Sequence, residues 1–170
     1  MTNTTKKQIA IIGGGPAGLM AAQEAIKAGL QVDVYDAMPS VGRKFLLAGK
    51  GGLNLTHSEA AEPFVSRFGA RSGEIGALLA KFGAEDVQTW AHGLGVETFV
   101  GSSGRVFPKD MKAAPLLRAW LHQLRVAGVR FHMRHRWLGW ADSAQVDESV
   151  HHLQFSTPAG NVTVQADAVP

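Results

Sequence analysis

Three glycines at fixed spacing, Gly13-x-Gly15-x-x-Gly18, stand between an apolar run and a helix-forming run, and this restricts the fold more than any other feature. Gln8-Ile-Ala-Ile-Ile12 is short, apolar and β-branched, as a buried strand requires. Residues Ala17 to Ala28 are good helix formers, and Gly29 supplies a C-terminal stop. Gln31-Val-Asp-Val-Tyr35 reads as a second strand with Asp36 at its end, 18 residues after Gly18. Strand, helix and strand over so short a length form a βαβ unit, whose strands are parallel. Within it, Gly13 permits the tight turn and Gly15 leaves no side chain in the path of a pyrophosphate. Gly18, with the small Ala22, lets the helix pack closely on the sheet. The helix N-terminus presents free N–H groups and about half a positive charge to phosphates. Asp36 can accept from a ribose diol and would repel a 2′-phosphate. This unit alone fits FAD or NAD equally.

Residues 37–58 are dense in glycine, carry Arg43, Lys44 and Lys50, and read as a long ordered loop. Thr56 and Glu59 fit a capping box, so the sequence predicts a helix starting there, with Pro63 in its first turn. Helices are expected at 73–82 and 84–94, a turn at Gly101-Ser-Ser-Gly104, and an amphipathic helix at 113–127 with Leu117, Leu121 and Leu124 on one side. The tail changes period. Segments 129–133, 137–140, 150–156 and 161–168 are strand-like, with a turn at Pro158-Ala-Gly160, and together predict a small antiparallel meander. The expected architecture is α/β: a Rossmann-like domain with a βαβ unit and cofactor loop (1–58), a mostly helical excursion (59–127) and a β-meander (128–168).

Composition narrows the function. Cysteine is absent, which excludes disulfide scaffolds, thiolate metal sites and cysteine nucleophiles. No apolar stretch is long enough for a membrane span, and the N-terminus lacks the pattern of a signal peptide, so a cytoplasmic protein is expected. His132-x-x-His135 and His151-His152 lack zincin spacing, and no metal site is expected. Segment 101–140 holds eight Lys or Arg and a single acid, Asp110, and so carries +7 of a chain whose net charge is +3. Its charges alternate with core-type residues, as on a solvated amphipathic face. No nucleic-acid recognition motif accompanies them, and no nucleic-acid partner is expected.

The loop Gly42-Arg-Lys-Phe-Leu-Leu-Ala-Gly-Lys-Gly51-Gly-Leu-Asn-Leu-Thr56 resembles that of BaiN/YhiN-type flavoproteins, which are FAD-dependent, NAD(P)H-linked oxidoreductases. Gly104-Arg-Val-Phe-Pro108, followed by Lys112-Ala113, agrees with it. The resemblance covers essentially the whole chain. It implies that Gly13, Gly14, Gly15, Pro16, Ala17 and Gly18 hold the FAD pyrophosphate and Asp36 the adenosine ribose. It places Arg43 and Lys44 near the ribose and phosphates, where ordinary surface charge is the alternative. Gly51, Gly52, Asn54 and Thr56 would lie near the flavin end, and the backbone at Trp137 near the adenine. No catalytic acid or base is assigned. Many relatives carry Arg-Cys-Asn where this chain has Gly52-Leu53-Asn54, so any thiol role is lost. Relatives are also much longer, and the resemblance implies a truncated chain that lacks the substrate domain and the C-terminal FAD segment, and does not turn over substrate alone. The implied activity passes electrons from NAD(P)H through FAD to an organic small molecule. A non-catalytic nucleotide-binding remnant and an NAD-linked dehydrogenase domain are the alternatives.

Overall fold

A computed structural model describes residues 6–48, 51–141 and 150–170. Gly49 and Lys50 of the glycine-rich loop lie outside the described residues. In chain order the elements are β1 (Gln8–Ile12), α1 (Pro16–Lys27), β2 (Gln31–Asp36), α2 (Arg43–Leu47), β3 (Thr56–His57), α3 (Ala61–Ser66), a 3₁₀ turn (Gly69–Arg71), α4 (Ser72–Leu79), α5 (Ala84–Gly93), β4 (Thr98–Val100), β5 (Arg105–Pro108), α6 (Ala113–Val126), β6 (Arg130–Met133), β7 (Arg136–Trp140), β8 (His151–Thr157) and β9 (Gly160–Ala166). They divide into two compact units: residues up to 45 with those from 121 onward, and residues 46–120.

In the first unit, a parallel sheet of order β1-β2-β6 packs two different faces. Ile11, Val32 and Val34 are buried, as are Leu19 and Ala22 of α1. Alternation turns Ala10 and Tyr35 to the other face, where they form one core with Leu153, Phe155 and Ala166 of the antiparallel sheet β7-β8-β9. Phe155 is fully buried, and burying a phenylalanine contributes roughly 1.5–3 kcal/mol. The βαβ unit therefore appears where the glycine pattern places it. The segment at 130–133 does not join the meander, as its strand-like tail position suggested. It pairs in parallel with β2, Asp33 opposite Arg130 and Tyr35 opposite His132. Beyond β9, Asp167 and Ala168 turn onto β1, and the Ala168 carbonyl accepts from Ala10 N–H at 3.0 Å. That end segment is thus tied to β1 in parallel.

The second unit contains a small antiparallel sheet, β3-β5-β4, that the sequence reading lacked. The loop at 37–58 also carries the short helix α2 and the strand β3. The expected capping box at Thr56 does not form. Thr56 sits in β3 opposite Val106, Glu59 accepts from Arg67 at 2.8 Å, and the helix starts only at Ala61. Trp120 is buried in the core of this unit and meets Trp90 edge to face at 4.8 Å. Among the described residues no helix is long and apolar enough to cross a membrane, and no group of three metal-type side chains converges.

Candidate dinucleotide site

Each glycine of the loop has its own reason to lack a side chain. Gly13 has a φ of +101°, in the left-handed region that favours glycine, and donates its N–H to Tyr35 O at 2.8 Å. Gly14 donates its N–H to Asp36 Oδ2 at 2.8 Å, and a Cβ there would lie 2.2 Å from Val41 Cγ1. Its carbonyl accepts from Gly42 N–H at 2.8 Å, which ties the loop to the segment after β2. A Cβ on Gly18 would lie 1.9 Å from the Gly13 carbonyl oxygen. Gly15 is different. Its φ of −79° suits any residue, and a Cβ there would meet nothing within 4 Å. No protein atom requires glycine at position 15; the space beside it is open. Gly15 is the N-cap of α1 without a side-chain cap, and Pro16 follows at N1. The first N–H groups of a helix lack intrahelical partners, so Ala17 and Gly18 present theirs at the same place.

Asp36 closes the other side of this loop. Oδ2 accepts from Gly14 and Oδ1 from Met38 N–H at 2.8 Å. A carboxylate offers about four acceptor positions, so two remain for further donors. The Asp36 carbonyl accepts from His135 N–H at 2.9 Å, which holds the β6–β7 turn beside it. Trp137 follows in β7; it is exposed and meets Trp140 edge to face at 5.8 Å. Arg43 and Lys44 are exposed in the first turn of α2. Val41 and Gly42, which complete the cradle around Gly14, were not singled out in the sequence, although Gly42 sits in a conspicuous glycine-rich run.

The remaining predicted residues belong to the second unit. Gly52 has a φ of +142°. Leu53 is buried, and its N–H donates to Met111 O at 3.0 Å. The Asn54 amide nitrogen donates to Thr56 O at 2.8 Å and Val106 O at 3.3 Å, which bends the chain into β3. Gly51, Gly52 and Leu53 line a cleft of about 450 Å³ with Met111 and Lys112. The two motifs that carry the family resemblance thus meet within one unit.

The first unit also holds a buried charge that sequence reasoning missed. Asp33 in β2 is 2% exposed and accepts from Arg130 Nε at 2.8 Å, from His132 Nε2 at 2.7 Å and from Gln8 Nε2 at 3.0 Å. Burial pushes its carboxyl up, but the Arg130 and His132 hydrogen bonds outweigh that and hold it below the ordinary value. Tyr35 stacks between His132 and Phe155, at 4.5 and 4.6 Å between ring centres. Burial, and then the Asp33 charge, push its phenol up to about 12. Tyr35 is the chain's sole tyrosine, so its titration is directly readable. Tyrosinate is expected to form far above the ordinary value of about 10, and its contribution to stability is complete below that and lost as pH climbs beyond it. A tyrosinate absorbance midpoint near 10 in the folded chain would contradict this burial.

A glycine turn joining a parallel strand to a helix, closed by an acid at the end of the next strand, defines a Rossmann-type dinucleotide-binding fold. The chain belongs to the HI0933-like protein Rossmann domain family, which matches residues 7–168 and is the BaiN/YhiN-type flavoprotein family that its loops resemble. It is 30% identical over 139 residues to hydroxysqualene dehydroxylase of Sinorhizobium fredii (strain NBRC 101917 / NGR234), a match that covers 69% of this chain and 33% of that enzyme. In fold it is similar to 3-ketosteroid-Δ4-(5α)-dehydrogenase from Rhodococcus jostii RHA1, with a TM-score of 0.71 and 17% identity over 99% of this chain and 46% of that one. It is also similar to a flavocytochrome c3 fumarate reductase, with a TM-score of 0.69 and 19% identity over 99% of this chain and 33% of that one. The chain thus spans about a third of the length of the curated relative and less than half of these two structures.

Proposed function

We propose that this chain is the FAD-binding part of a flavoprotein oxidoreductase. The observation that carries the reading is Gly15: the protein leaves open space where its Cβ would stand, at an uncapped helix N-terminus. That is the geometry a pyrophosphate needs for close approach to backbone N–H groups. Gly15, Ala17 and Gly18 would donate to the phosphates, while Gly13, Gly14 and Pro16 shape the turn. Asp36 keeps acceptor positions for the adenosine ribose hydroxyls and disfavours a 2′-phosphate there. Arg43 and Lys44 would add positive charge, and the backbone near Trp137 would border the adenine. Gly51, Gly52, Asn54 and Thr56 belong to the loop for which the family resemblance implies flavin contacts, and that role is proposed for them here. Bound FAD would supply two-electron acceptance and donation. For the whole protein the proposal extends to NAD(P)H as donor and an organic small molecule as acceptor.

The test separates ligand from fold. Gly15→Ala is expected to leave the melting temperature unchanged, because its methyl group meets no protein atom. It should weaken FAD binding, measured by flavin fluorescence quenching, by at least about tenfold, or about 1.4 kcal/mol. FAD should outcompete NADP at this site. Equal FAD affinity in parent and variant, or preferential NADP binding, would defeat the assignment.

A further inference from the structure

We propose that the second unit carries a binding site for an organic carboxylate with a hydrophobic body, and that Arg105 receives the carboxylate. The site is a cleft of about 460 Å³, within the range that holds small organic ligands. Arg105 lies at the start of β5 opposite His57 of β3, so the two share one face of the small sheet. The apolar lining comes from Phe64, Phe68, Leu79, Phe82 and Val87. Phe68 and Phe82 remain 42% and 41% exposed, and large apolar side chains clustered in the open mark binding surfaces.

Charge selects the ligand. No carboxylate lines the cleft. Arg67, its other arginine, is already matched by Glu59 at 2.8 Å. Among the described residues Arg105 has no acidic partner, and its backbone is fixed by pairing with β3 and by its carbonyl, which accepts from Gly101 N–H at 2.8 Å. Gly104 has a φ of +77°, and a Cβ there would lie 2.6 Å from the His57 ring. His57 is in turn fixed by Ser103 O at 3.0 Å and by Glu59 N–H, which donates to Nδ1 at 3.1 Å. Both ring nitrogens are occupied, so His57 shapes the wall and leaves the anion to Arg105. A guanidinium held on a sheet beside an aromatic wall matches a carboxylate fork joined to a ring system. Asn54 and Thr56, proposed above for flavin contact, also line this cleft, but the carboxylate recognition argued here rests on Arg105 and needs no bound nucleotide.

The probe is 2-naphthoate, with 2-naphthamide as its neutral counterpart, titrated calorimetrically into the full chain without FAD. The acid is expected to bind saturably and at least about tenfold more tightly than the amide. Arg105→Gln should abolish that preference, while Arg118→Gln, an exposed change on α6, should preserve it. Phe68→Ala should weaken acid and amide alike, since it removes only the apolar wall. Equal binding of acid and amide by the parent chain overturns the proposal without reference to any variant. Retention of the preference in Arg105→Gln, or its loss in Arg118→Gln, overturns it as well.

Discussion

Arg130→Met is expected to cost the folded state about 3 kcal/mol, because it leaves the buried Asp33 carboxylate without its guanidinium. His132 and Gln8 remain as partners, which keeps the loss at the lower end of what breaking a buried ion pair costs. The sign of the pH dependence follows from the depressed Asp33 carboxyl. In the parent, its contribution is complete above the unfolded value of about 3.9 and disappears as pH falls through the lower folded value. In the variant, burial acts with less opposition and protonation relieves it. The difference in stability between parent and variant should therefore shrink on acidification. Urea unfolding of both chains at neutral pH and in the carboxylate range measures it. The double change Asp33→Leu with Arg130→Met should cost less than Arg130→Met alone, since it removes both charges together. A double variant worse than the single one would mean that the carboxylate is not the penalised group.

Gly18→Ala should be nearly as damaging, through a different cause. Its methyl group would stand 1.9 Å from the Gly13 carbonyl oxygen and 3.3 Å from Ile11 Cγ2. The first contact is with backbone, so α1 must move away from β1 or the loop must open. Overpacking of this kind costs about 1–3 kcal/mol, and here it also displaces the N–H groups proposed for phosphate binding. A lowered melting temperature together with loss of FAD quenching is the expected pair of results. Comparison with Gly15→Ala isolates the cause, because only the Gly18 variant should lose stability. Unchanged stability in Gly18→Ala would contradict the close packing of helix on strand.

The parts legible in the sequence are those that local backbone geometry dictates. Gly13 needs its positive φ, Gly18 its missing Cβ, and Asp36 follows from the strand that ends there. What escaped depends on distant partners. Residues 130–133, Arg-Phe-His-Met, are strand-like in either orientation, and only β2, about a hundred residues earlier, makes them parallel. Asp33 in a strand reads as solvent-facing until Arg130 and His132 arrive, 97 and 99 positions later. Nothing adjacent to His132 in the sequence announces the carboxylate that it meets. Thr56 and Glu59 met the capping pattern, yet strand pairing and Arg67 took both residues. The strands β3, β4 and β5 have two to four residues each, too few for a period to register.

The placement of β6 has a consequence for how the polypeptide acquires its structure during synthesis. The βαβ unit is complete in sequence by Asp36, but β2 is then an open edge, and the Asp33 carboxylate has no cation to enter the interior with. At ordinary elongation rates the ribosome needs about 5–20 s to add the intervening 97 positions up to Arg130. Until then the nascent β2 edge is free to pair with another chain, and a solvated Asp33 discourages that pairing as inward-pointing charges do elsewhere. The same carboxylate that anchors the finished sheet thus acts as a gatekeeper while the sheet is still missing its third strand.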